Sequence, residues 1–214
     1  IHIIDLNKTA VKLDEASAAM KQLAKSGKKI LFVATKKQAK TIVAEKAKAI
    51  NMPFITERWS GGMLTNFATI RKSIRKMNRI EKMKTDGTFN TFSKRERLQK
   101  SRQKDKLEKN LGSISDLTRI PAAIFVVDVM KEHIAVAEAL KLNIPIFAIV
   151  DTNSDPRKID FPIPANDDAS KSIDLIMTDV VTAIAEGLNE RKTAKEENQP
   201  AKEKPAATEE KPAE

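Results

Sequence analysis

Five short apolar runs, interleaved with stretches of helical periodicity, restrict what this chain can fold into more than any other feature. They are Ile1–Leu6, Ile30–Ala34, Phe54–Arg58, Ala123–Asp128 and Ile146–Asp151. Several are apolar at consecutive positions, so both faces are buried, as in a parallel sheet covered by helices. Among the intervening stretches, Asp14–Ser26 puts Ala16, Ala19, Met20 and Leu23 on one face, and Lys37–Ile50 does the same with Ala39, Ile42, Val43 and Ile50. Glu132–Leu142 and Ser170–Leu188 complete the helices, the last with Ile173, Ile176, Met177, Val180, Val181 and Ile184 on its apolar stripe. The alternation predicts an α/β fold: an open, doubly wound, mostly parallel sheet flanked by helices.

One segment breaks the alternation. From about Asn66 to Leu117 the chain carries Phe67, Ile70, Ile74, Met77 and Ile80 at helical spacing, a break at Thr85-Asp86-Gly87-Thr88, and a second helix from Ser93. Glu96 stands three residues after Ser93, the spacing of a capping box. The second helix offers Leu98, Leu107, Leu111 and Ile114, with Arg102 and Asp105 where seam apolars are expected. This reads as a protruding antiparallel helical hairpin with a thin seam, inserted into a discontinuous α/β domain of residues 1–65 and 118–188.

The charge of the chain is concentrated in that insert. Between Arg71 and Lys109, fifteen Lys and Arg stand against five Asp and Glu, a surplus of ten. The whole chain has 39 against 29, so everything outside that stretch balances at 24 each. A mixed charge run is ordinarily a solvated helix face. A one-signed run on a thin-seamed arm points instead to a polyanion, nucleic acid foremost. The candidate phosphate contacts are Arg71, Lys72, Arg75, Lys76, Arg79, Lys94, Arg95, Arg97, Lys100, Arg102 and Lys104. Phe89 and Phe92 at the tip are candidates for stacking on bases or entering a partner's pocket. Nine aromatics in total, with no Tyr, are too few for an RNA module built on stacking platforms.

The remaining composition excludes several classes. There is no Cys, hence no disulfide, thiol catalysis or thiolate metal site. Nothing resembles a signal peptide or a membrane span, so a soluble, cytoplasmic protein is expected. Residues 189–214 contain no Val, Ile, Leu, Met, Phe or Trp and are expected to form a disordered Lys/Glu/Ala/Pro tail. The chain opens at Ile1 without Met and is read as trimmed at its N-terminus.

Ligands of open α/β sheets bind beyond the carboxyl ends of the strands. The loop there, Thr35-Lys36-Lys37-Gln38, has no Gly, and neither the P-loop nor the G-x-G-x-x-G pattern occurs anywhere. Thr35 and Gln38 instead fit a capping box. Lys36 and Lys37 fall in a first helical turn, where the macrodipole disfavours cations; a phosphate partner would explain them, and simple exposure is the alternative. Asp151-Thr152-Asn153-Ser154-Asp155 opens like a calcium loop, but Pro156 and Pro162 stand where an EF-hand needs Gly and Glu. Asp155-Pro156 reads as a turn, and Asn166-Asp167-Asp168 as a helix cap. No metal or cofactor is expected, and no arrangement around His2 or His133 marks a nucleophile. Arg58-Trp59-Ser60-Gly61-Gly62-Met63-Leu64-Thr65-Asn66 reads as a glycine turn with a cap at Thr65 or Asn66. It would also form a shaped surface at the base of the hairpin, with Arg58 for phosphate and Trp59, Met63, Thr65 and Asn66 for a partner.

That string, together with Phe32-Val33-Ala34-Thr35-Lys36-Lys37-Gln38-Ala39, Pro121–Asp128, Ile149–Pro156 and Ile163–Ala169, resembles the bacterial form of the second small-subunit ribosomal protein family. The resemblance spans roughly residues 1–187 in order. It implies a parallel-sheet domain with a protruding helical hairpin and a non-enzymatic, ribosome-bound role. It also implies binding to small-subunit ribosomal RNA between head and body, and help in docking the large messenger-binding protein of that subunit. The family's aromatic and basic segment before the first strand is absent here. A nucleotide-binding enzyme or sensor, with Asp128, Asp151 and Asp155 near strand ends, is the rival reading; a general RNA chaperone is a third.

Overall fold

An apolar run becomes a strand here only where a neighbour exists to pair with. In the computed structural model, which describes residues 2–197, β1 (Ile30–Val33), β2 (Phe54–Ile55), β3 (Ala123–Val127), β4 (Ile146–Val150) and β5 (Phe161–Pro164) form one sheet. The order is β2-β1-β3-β4-β5, and every pairing is parallel. Alternation along the strands sends Phe32, Phe125 and Phe147 to one face and Leu31, Val33, Ile124, Val126, Ile146 and Ala148 to the other. The first face lies under α1 (Leu6–Lys25), α2 (Lys37–Ala49) and α6 (Ser170–Glu197). The second is covered by the base of the hairpin, the segment 111–117 and, after β3, a short helix at His133–Lys141.

One expected strand is corrected, and one strand was not anticipated. Among residues 2–6 of the first predicted strand none is extended in the sheet: Asp5 accepts a hydrogen bond from the Asn7 backbone at 3.0 Å and caps α1, whose first residue is Leu6. An acceptor side chain followed by free amides outweighed apolar composition. Conversely, β5 contains Pro162 and Pro164, which argue against a strand. It is an edge strand, and Phe161 and Ile163 alternate with the prolines. The Ala165 backbone donates to Val150 O at 3.1 Å, so the prolines fall where an N–H would face the open edge. Phe161 also stacks on Phe147, ring centroids 4.5 Å apart.

The inserted arm consists of α3 (Phe67–Thr85) and α4 (Lys94–Leu111), joined through a 3-10 turn at Thr88–Thr91. With these two counted, the helix at His133–Lys141 is α5. Ile70, Ile74, Met77 and Ile80 are buried along the seam as expected, and the Ser93–Glu96 capping box forms in both directions. Leu98 is not in the seam: it is 52% exposed. It lies nine residues from Leu107, which on a helix is about half a turn away around the axis. The inward positions of the distal half are taken by Ser101 and Lys104, while Arg102 and Asp105 face solvent.

The expected tail is helical at its start, since α6 continues to Glu197; residues 198–214 lie outside the described residues. α6 lies along α1, bound by Lys21 to Glu186 and Glu190 and by Lys25 to Glu190. Gly187 makes the close approach achievable, because a Cβ there would stand 2.4 Å from the Lys21 carbonyl oxygen. Among the described residues no helix is long and apolar enough to cross a membrane.

Candidate nucleic-acid interface

The arm sorts its basic residues by what the fold already asks of them. Lys72, Arg75, Lys76, Arg79, Lys94, Arg95 and Arg102 are exposed, and Arg97 is half-buried. Two others are turned inward. Arg71 donates from Nη1 to the carbonyl oxygens of Leu117 at 3.0 Å and Ser115 at 3.4 Å, tying the returning chain to the root of α3. Lys104 reaches across the seam to Glu81 at 2.9 Å and pairs along α4 with Glu108 at 3.6 Å. Near the tip, Lys100 lies 4.4 Å from the Phe92 ring centroid and Lys84 lies 5.6 Å from that of Phe89. Both rings are half-buried and face cations of the arm itself.

At the root of the arm, the loop 58–66 is folded around one carboxylate. Glu138, on the inner face of α5, accepts from Trp59 Nε1 at 3.1 Å, from the backbone of Gly62 at 2.7 Å, of Leu64 at 2.8 Å and of Thr65 at 3.1 Å, and from Thr65 Oγ1 at 3.2 Å. Burial alone would raise its pKa. The donors from Thr65, Leu64, Trp59 and Gly62 outweigh that and hold it below the ordinary carboxylate range. Trp59 and Met63 are therefore core residues, while Arg58, Thr65 and Asn66 remain exposed. Neither Thr65 nor Asn66 caps α3 through its side chain: Thr65 is bound to Glu138, and Asn66 Oδ1 accepts from Thr69 Oγ1.

The crevice beyond the strand ends, between β1 and β3, is where the chain connections diverge to opposite sides of the sheet and where such folds hold ligands. Here it is occupied by side chains. The Lys36 ammonium lies 2.6 Å from Asp167, 2.6 Å from Asp168 and 3.5 Å from Asp128, and its side chain is 12% exposed. Thr35 donates through both backbone and hydroxyl to Glu132, so it does not cap α2; the capping position falls to Lys36, whose side chain makes no cap hydrogen bond. Burial works against the charged Lys36, but Asp167 and Asp168 outweigh it and hold the ammonium above the ordinary lysine range. Asp167 shifts upward because its burial outweighs the opposing pull of Lys36, with Asp128 and Asp151 adding smaller upward pushes. Asp128 takes a left-handed backbone, φ 69°, to reach this arrangement. A crevice lined by carboxylates repels phosphate, so the geometry does not suit a nucleotide. Lys37, one residue on, is exposed.

Asp151, Asp167 and Asp168 bring carboxylate oxygens within 4.8 Å of one another, and Asp167 Oδ2 is buried without a hydrogen-bond partner. Oxygen donors of this kind could hold a hard divalent cation. Asp155 accepts from the Arg157 backbone at the start of a 3-10 turn, and Asn166 Oδ1 accepts from the amides of Asp168 and Ala169, as a turn and a cap require.

A family model for ribosomal protein S2 matches residues 1–187. The chain belongs to the ribosomal protein S2 family. It is 69% identical over 196 residues to the small ribosomal subunit protein uS2 of Flavobacterium johnsoniae, spanning 92% of this chain and 77% of that protein. The uS2 proteins of Phocaeicola vulgatus and Bacteroides fragilis are 67% and 65% identical over 195 residues, each spanning 91% of this chain and 70% of theirs.

In this S2-family chain, sequence reasoning marked the arm and the loop 58–66 at its root as candidates. It missed Glu132 and Glu138, which organise the crevice and the loop. An available signal was their spacing in α5 and its lead-in: Glu138 lies among Ala135, Val136 and Ala139, on the side that packs against the sheet. A carboxylate on an apolar helix face needs donors brought to it.

Proposed function

We propose that this chain, a structural protein of the small ribosomal subunit and not an enzyme, is held to small-subunit ribosomal RNA chiefly by its basic arm. The supporting observation is the row of exposed cations on α3 and α4, Lys72, Lys76, Arg79, Lys94, Arg95 and Arg102, on an insert that carries the whole charge surplus of the chain. Such residues meet backbone phosphates and shape rather than base edges. Arg58 and Lys37 on the globular body extend the same reading, and Phe89 and Phe92 with their paired lysines give the tip a flat cationic face. Lys36, Arg71 and Lys104 serve the fold and are left out of the contact set. The large messenger-binding protein, implied as a partner by the family resemblance, would meet the globular body instead of the arm.

The test is incorporation into small subunits that lack this protein, across a potassium chloride series. A variant with Lys72, Lys76, Arg79 and Arg102 changed to Gln should bind more weakly and with a flatter salt dependence. Unchanged affinity and slope would overturn the arm as the RNA handle.

A further inference from the structure

The outward side of α5 is as apolar as the side that packs on the sheet. The inner positions are Ala135, Val136 and Ala139, with Glu138 inside its ring of donors; the outer ones are Ile134, Ala137 and Leu140. Ile134 is 45% and Leu140 41% exposed, and Met130, at the turn before the helix, is 59% exposed. An apolar strip on the outward side of a helix is normally covered by another element. Here it borders a groove of about 350 Å³ between Val129, Met130, Val136 and Leu140 on one side and Ser154 and Lys158 on the other. Isolated exposed apolar residues are ordinary; a contiguous patch beside a groove marks an interaction surface.

The rim says what kind of partner fits. His133 and Lys158 line the groove, and Lys141 is exposed at the end of α5. Asp155 is the one carboxylate among the groove's lining residues, and Arg157 neutralises it at 3.0 Å. Lys141 and Lys158 have no ion-pair partner among the described residues. Phosphates gain little from a floor of Val, Met and Leu carbons, whereas a peptide can fill it and place acidic residues over the rim. We infer that the α5 face receives a segment of a neighbouring protein whose apolar side chains are flanked by Asp or Glu. The apolar side chains enter the groove beside Met130 and Leu140, and the flanking carboxylates meet Lys141 and Lys158.

This is separate from the RNA reading and is tested separately. Ala137 is replaced by the photo-crosslinker p-benzoylphenylalanine in the full chain, the protein is assembled into small subunits, and the cross-linked product is sequenced by mass spectrometry. The expected result is a ribosomal-protein peptide with apolar residues beside Asp or Glu. Cross-links to RNA, to a second copy of this chain, or to nothing would overturn the inference. Ile134→Asp with Leu140→Asp should reduce that product about tenfold or more, the loss expected when apolar anchors are removed. Lys141→Glu with Lys158→Glu should reduce it too, and an undiminished yield there would overturn the acidic character of the partner. All four positions are exposed, so the variants should still enter subunits through the arm.

Discussion

Lys36 stands just before α2 with three carboxylates around its ammonium, and its removal would leave buried negative charge unopposed. Lys36→Met should therefore cost about 3–5 kcal/mol at neutral pH, the range for removing one partner of a buried pair. Because the Lys36 pKa is raised, its contribution is fully present below 10.5 and is lost only as pH rises through the higher folded value. Asp167 has the opposite consequence: its raised folded pKa means that taking up a proton favours the fold as pH falls. The deficit of Lys36→Met should accordingly shrink on going from pH 7 to pH 5, read by urea unfolding at both values. Glu138 titrates the other way. Its folded pKa is depressed below 4.5, so its contribution is present above that value and disappears as pH falls through the folded one. Glu138→Ala leaves several donors of the loop unpaired, at a cost of about 2–4 kcal/mol. Trp59, the only Trp, reports it directly, and its fluorescence should shift to the red as the indole loses Glu138.

Among the elements, the contact of α1 with α6 depends on one missing side chain. Gly187→Ala would push a methyl against the Lys21 carbonyl and the Ala24 side chain, and should destabilise the fold by about 1–3 kcal/mol, seen as a lower Tm. A glycine inside a helix gives no sequence sign of this, since it acts through a chain segment more than 160 residues away. The strands β1, β3 and β4 were legible because Val, Ile and Phe at consecutive positions have no other stable home. The strand β5 was not, because two prolines argue against pairing until the edge position is known. Leu98 misled for a geometric reason, counting as seam by composition while its angular position put it outside. In the site, exposed cations could be read from local charge. That Lys36, Arg71 and Lys104 turn inward could not, because their partners come from distant segments.

The whole molecule is a neutral body carrying a charged arm. Counterion release predicts that each phosphate contact removed lowers the salt slope of RNA binding by roughly 0.7–0.9. The four-residue arm variant should thus lose roughly 3 to 4 in slope if every residue meets a phosphate. Its thermal stability should stay within about 0.5 kcal/mol, as befits surface positions. The architecture also couples its two ends: α1 precedes every strand of the sheet and α6 follows them all, yet Ala16, Met20 and Ala24 of α1 are buried against the same core as Ile184. A nascent chain cannot complete this core until its final helix has been synthesised. A prematurely terminated copy would keep the apolar face of α1 open to proteases and chaperones, so only full-length molecules would persist long enough to reach a subunit.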